Sequence, residues 1–173
     1  MRNSTAVRRQ VGASRFELLL AVSIIAIVAG VLLERLAFYQ EYAEKVAMDL
    51  TIAAMRAGLR SRVADLLIAD RVSEISTLAE ENPVRWLDRE PGNYLGELDG
   101  PPQEEPRGKW YFDRGRQELV YTANNRRFFT PSVYRDYTVR LRAMRIQARV
   151  VPAGKKAEPE WVALVIVNDY RWF

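Results

Sequence analysis

The chain of 173 residues contains no cysteine and no histidine. Without cysteine it has no disulfide framework and no thiolate chemistry. Without either residue type the sequence predicts no zinc site, and histidine-based acid–base catalysis is excluded. It also lacks a glycine-rich phosphate loop, a G-x-S-x-G motif and a dense Asp/Asn cluster suited to calcium. We therefore expect no cofactor, no metal and no enzymatic activity.

The chain also lacks a strong excess of one charge. It has 26 basic and 22 acidic residues, a net charge of +4. Arg2, Arg8, Arg9 and Arg15 all lie near the N-terminus, so the remainder is close to neutral. The overall charge thus argues against nucleic-acid binding. One stretch, residues 124–129 (Asn-Asn-Arg-Arg-Phe-Phe), has the basic and aromatic residues of a nucleic-acid site. We interpret it as a loop with a solvated arginine pair and two anchoring phenylalanines.

A single long apolar run is present. Residues 18–33 are all apolar or small, and as a helix they would rise about 24 Å, against a hydrocarbon core of roughly 30 Å. Phe16 and residues 36–38 can extend the run, and the long side chains of Arg15 and Arg35 can reach the interface. The basic residues before the run predict a cytoplasmic N-terminus.

The residues that precede this run form a distinctive pattern. A basic leader ends at Gly12, and Glu17 lies at the mouth of the apolar run, where a carboxylate without a partner is costly. The pattern resembles the N-terminal signature of type IV prepilins and of the pseudopilins of type II secretion. The resemblance implies cleavage after Gly12 by a prepilin peptidase, N-methylation of Ala13 and a role for Glu17 in filament assembly. It also implies a single-pass protein of the bacterial inner membrane with a periplasmic C-terminal domain.

The resemblance implies partners as well, namely other pilin or pseudopilin subunits, the prepilin peptidase and an inner-membrane assembly platform. The chain departs from the family pattern at Ala13, where Phe or Met is usual, and at Arg15, where an apolar residue is common. It departs again in having no proline within the apolar helix.

Two other interpretations stay open. In the first, the protein is a single-span periplasmic binding or scaffold protein whose leader is never cleaved. In the second, it is a soluble domain released by signal peptidase near Ala29 and Gly30.

A helical pattern continues beyond the apolar run. Proline is absent before Pro83, and the pattern predicts a helix over about residues 13–78, with Asp70 as a candidate break. The predicted apolar stripe consists of Leu36, Tyr39, Ala43, Val46, Leu50, Ala53, Ala57 and Ala64. Small residues also cluster at Ala47, Ala53, Ala54, Ala57 and Gly58. We interpret this cluster as packing on the protein's own sheet, with a subunit contact as the alternative.

Strand patterns dominate the C-terminal half. Asn82 and Pro83 predict the end of the helix, and residues 90–108 read as loop. Residues 109–113 and 118–122 predict a hairpin. Residues 137–151 alternate between apolar and polar side chains. The phase of this alternation changes near Ala143, which a β-bulge or a tight break between two strands would produce. Residues 161–167 are apolar on both faces, which predicts a central strand covered on both sides, the second cover being a loop of this chain or a neighbouring subunit.

Together these elements predict an α+β, pilin-like fold, with a long N-terminal helix packed on an antiparallel sheet of about four strands. The predicted organisation is a leader (1–12), a transmembrane or filament-core helix (13–36), an amphipathic continuation (37–82) and a loop and sheet region (83–173). The predicted function is that of a pseudopilin or minor pilin in a periplasmic filament of type II secretion or type IV pilus assembly.

Overall fold

The computed structural model describes residues 14–146 and 161–173. Gly12 and Ala13, the predicted cleavage site, lie outside the described residues, as does the leader. The chain divides into two compact units, Met1–Tyr39 and Gln40–Phe173. The fold is α+β, as predicted: one long N-terminal helix and a mostly antiparallel sheet.

Helix α1 (Arg15–Ile68) is 54 residues long and carries the core stripe of the second unit. Its buried residues are three, four or seven positions apart, the spacings at which side chains share one face of a helix. They are Glu41, Met48, Ile52, Met55, Leu59 and Val63. The predicted stripe was wrong: Leu50 is 65% exposed, and Val46 and Tyr39 are exposed as well. Apolar residues occupy more than one face of this helix, so spacing alone did not identify the buried face.

The helix ends earlier than predicted, near the candidate break. Asp70 adopts a left-handed backbone conformation with φ of 56°, and its N–H donates to the carbonyl of Leu67 at 3.2 Å. Two 3₁₀ helices follow, Val72–Glu80 and Pro83–Trp86, and the Asn82 side chain accepts a hydrogen bond from the backbone N–H of Val84. The break at Asp70 is confirmed, whereas the helix end at Asn82 and Pro83 was wrong.

Five strands form the main sheet in the order β1-β2-β3-β5-β6. Their bounds are β1 Tyr94–Leu98, β2 Lys109–Asp113, β3 Glu118–Thr122, β5 Thr138–Ile146 and β6 Trp161–Ile166. A separate two-stranded sheet pairs β4 (Phe129–Pro131) with β7 (Tyr170–Trp172). The β2–β3 hairpin is confirmed with its predicted bounds, and the two strands pair antiparallel. Strand β1 lies inside the predicted loop and pairs with β2 in parallel.

Strand β5 has no bulge over its described length. Its pairing with β6 runs without a shift from Leu141 to Ile146, so the predicted bulge or break near Ala143 was wrong. Val139, Leu141 and Ala143 are buried, and Met144 and Ile146 point to the opposite, exposed face. The apparent phase change arises because this far end of the strand is apolar on its exposed face. Residues 147–151 of the predicted pattern lie outside the described part of the chain.

Among the described strands β6 lies at the edge of the main sheet, so its predicted central position was also wrong. Val162 and Leu164 point into the core and are buried, whereas Trp161 is 40% exposed on the other face. One carbonyl of this strand is bonded from α1, since the Arg56 guanidinium Nε donates to the carbonyl of Leu164 at 3.3 Å. The bond satisfies one backbone acceptor of the strand.

The core lies between α1, the first 3₁₀ helix and one face of the sheet. Its members include Met55, Ile75, Trp110, Leu119 and Leu141. The small-residue cluster divides into two parts. Gly58 packs closely, but against the second 3₁₀ helix and not against the sheet: a Cβ there would lie 2.0 Å from the carbonyl oxygen of Trp86. The four alanines, Ala47, Ala53, Ala54 and Ala57, are exposed, so their assignment to the protein's own sheet was wrong.

Candidate assembly site

The first turn of α1 places Ser14 and Glu17 together. The Ser14 hydroxyl oxygen accepts a hydrogen bond from the backbone N–H of Glu17 at 3.2 Å, and the Ser14 carbonyl accepts from the N–H of Leu18 at 3.0 Å. Ser14 is therefore the N-cap of the helix, and Glu17 occupies the third helical position, the arrangement of a capping box. The Glu17 carboxylate is exposed and forms no ion pair with any described residue.

The apolar surface that follows Glu17 is uncovered within its unit. Phe16 is 75% exposed, and no residue from 15 to 36 is buried. Over the described residues this is the one helix long and apolar enough to cross a membrane. Its polar group at Ser23 is satisfied locally, because the hydroxyl donates to the carbonyl of Leu19 at 2.8 Å. Large apolar side chains remain exposed in water only at a cost, so this surface is suited to lipid or to other helices.

Farther along α1, Glu41 holds two distant segments of the second unit. It is 1% exposed. Its Oε1 accepts hydrogen bonds from the backbone N–H of Phe128 at 2.9 Å and from the indole N–H of Trp172 at 3.0 Å. A buried carboxylate is tolerated when charge-assisted hydrogen bonds such as these satisfy it.

One turn later, Glu44 binds the same loop. Its two oxygens accept from the backbone N–H groups of Asn124 and Asn125, from the Asn125 side chain and from the Tyr121 hydroxyl, which donates at 2.9 Å. Burial raises the pKa of Tyr121, and the nearby Glu44 carboxylate raises it further. Glu41 and Glu44 thus attach the loop 124–128 to the helix.

This attachment bears on the nucleic-acid interpretation of residues 124–129. The Arg126 guanidinium stacks over the Tyr137 ring at 4.4 Å and pairs with Glu105. Phe129 is buried between Tyr170 and Trp172, with ring centroids 5.4 and 5.1 Å away. These side chains are used within the fold, and the geometry favours a structural role for the loop. The predicted solvation was wrong for Arg126, whose side chain is 19% exposed.

Sequence reasoning missed Ser14, Glu41 and Glu44. Ser14 and Glu17 have the S-x-x-E spacing of a capping box, so that signal was present in the sequence. Glu41 and Glu44 look like ordinary solvated helix residues, because their partners lie about 80 to 130 positions away. Of the predicted site residues, the structure describes only Glu17. In the described part of the chain no group of three or more acidic side chains is arranged to hold a metal ion.

Comparison of the chain with protein-family models, with curated proteins and with solved structures found no significant match.

Proposed function

We propose that the chain is a pilin-like structural subunit, a pseudopilin or minor pilin, of a periplasmic filament in type II secretion or type IV pilus assembly. It is processed after Gly12 and methylated on Ala13. The observation that carries the proposal is the first turn of α1, where an exposed Glu17 precedes a long apolar stretch, and no residue from 15 to 36 is buried.

The charge at Glu17 has a physical role in this proposal. A carboxylate beside hydrocarbon is costly unless a cation neutralises it. Cleavage after Gly12 creates such a cation, the new amine of Ala13, one helical turn from Glu17. In a bundle of these helices, Glu17 of one subunit neutralises the amine of its neighbour. The pairing sets the axial register, while the apolar faces supply most of the association energy.

The helix cap supports the same proposal. Since Ser14 caps the helix, the helix begins at Arg15, two residues after the cleavage position at Ala13. A protease binds its substrate in an extended form, so a helix that included the scissile bond would have to unwind first. The described helix begins at Arg15 and does not include that bond.

The two other interpretations are a span that is never cut and a soluble domain released near Ala29 and Gly30. The second would have to cut inside α1, which runs without interruption through both residues. In the pilin-like interpretation the apolar helix stays with the mature protein, where it anchors the subunit in the inner membrane with its N-terminus cytoplasmic.

Substitutions at Gly12 test the proposal. The chain is co-expressed with a prepilin peptidase, and the precursor and product are separated on a gel. We expect full processing of the wild type, slower processing of Gly12→Ala and accumulated precursor for Gly12→Val, since only glycine lets the two backbones approach closely. Gly30→Val is the matched control, because a Cβ at Gly30 meets open space, and it should be processed normally. Normal processing of Gly12→Val would overturn the proposal.

A further inference from the structure

We draw no further inference here: the strongest candidate, the outward face of α1 in the second unit, where Ala43, Val46, Leu50, Ala53 and Ala57 are exposed at spacings of three and four, is built mostly of small residues, and nothing in the described part of the chain shows what covers it.

Discussion

At the scale of single residues, the structure separates the backbone of Glu17 from its carboxylate. Its backbone N–H takes part in the Ser14 cap, and its carboxylate is exposed at the start of the apolar surface. If Glu17 serves only the cap, glutamine can replace it, because glutamine serves equally in a capping box. If Glu17 serves charge pairing, glutamine cannot replace it, because glutamine has no charge.

The corresponding prediction compares Glu17→Gln, Glu17→Val and Ser14→Ala. We expect all three to be cleaved and to stay in the membrane, since removing a carboxylate eases insertion. Both Glu17 variants should be poorly incorporated when co-expressed with partner pilins and assayed in sheared filament fractions. Ser14→Ala should be incorporated, with a loss of about 1 kcal/mol in the first helical turn. Incorporation of Glu17→Gln at the wild-type level would contradict the charge-pair mechanism.

A second residue-scale prediction concerns Glu41. Glu41→Leu leaves the N–H groups of Phe128 and Trp172 buried without an acceptor, at about 1–3 kcal/mol for each. We therefore expect a loss of about 2–6 kcal/mol in the free energy of unfolding, measured by denaturation with near-UV circular dichroism. Glu41→Gln keeps an acceptor oxygen and should lose much less. The control is Glu104→Leu, in an exposed loop, which should leave the free energy of unfolding nearly unchanged. A Glu41→Leu protein as stable as the wild type would contradict the role of Glu41 as an anchor.

At the scale of elements, the second half of α1 is part of the core of the unit Gln40–Phe173. A fragment beginning at Gln40 keeps Met48, Ile52, Met55 and Leu59 and should fold as a soluble α+β domain. A fragment beginning at Pro83 uncovers the sheet. Exposing a few hundred Å² of apolar surface costs several kcal/mol at about 25 cal/mol per Å², comparable to the whole stability of a small domain. We expect aggregation or an unfolded chain, and a cooperative thermal transition of that fragment would show that α1 is not part of the core.

Elements were predictable from the sequence where local composition decides them. The proline-free apolar run predicts α1, and the aromatic and β-branched residues around Trp110 and Tyr121 predict the β2–β3 hairpin. Local composition does not decide which face of an element is buried. Helix α1 is apolar at both Leu50 and Ile52, and β6 is apolar at both Trp161 and Val162, so tertiary packing made the choice.

The helix anchors were unpredictable for the same reason. Glu41 and Glu44 on the core side of α1 break the amphipathic pattern, and they are tolerated because loop 124–128 and Trp172 satisfy them. Those partners are distant in sequence and become adjacent only through the order of the strands. Of the proposed site, Gly12, Ala13 and Glu17 were predicted from the sequence, and the Ser14 cap was missed although its S-x-x-E spacing was present there.

At the scale of the whole molecule, an uncovered apolar helix joins a domain with its own core. The mature protein would lie in the inner membrane before assembly and in a filament afterwards, with the same apolar surface covered first by lipid and then by neighbouring helices. A secreted soluble domain would have to lose that helix, and an uncleaved scaffold would keep its basic leader. The three interpretations therefore differ in the mass of the mature protein.

The central claim is processing after Gly12, and an intact-mass measurement of the protein purified from membranes tests it most directly. We predict a mass lower than that of the full chain by residues 1–12 and higher than the trimmed chain by one methyl group, with the methyl on the N-terminal fragment that begins at Ala13. The full-length mass, or a mass corresponding to cleavage near Ala29 and Gly30, would contradict the pilin-like account.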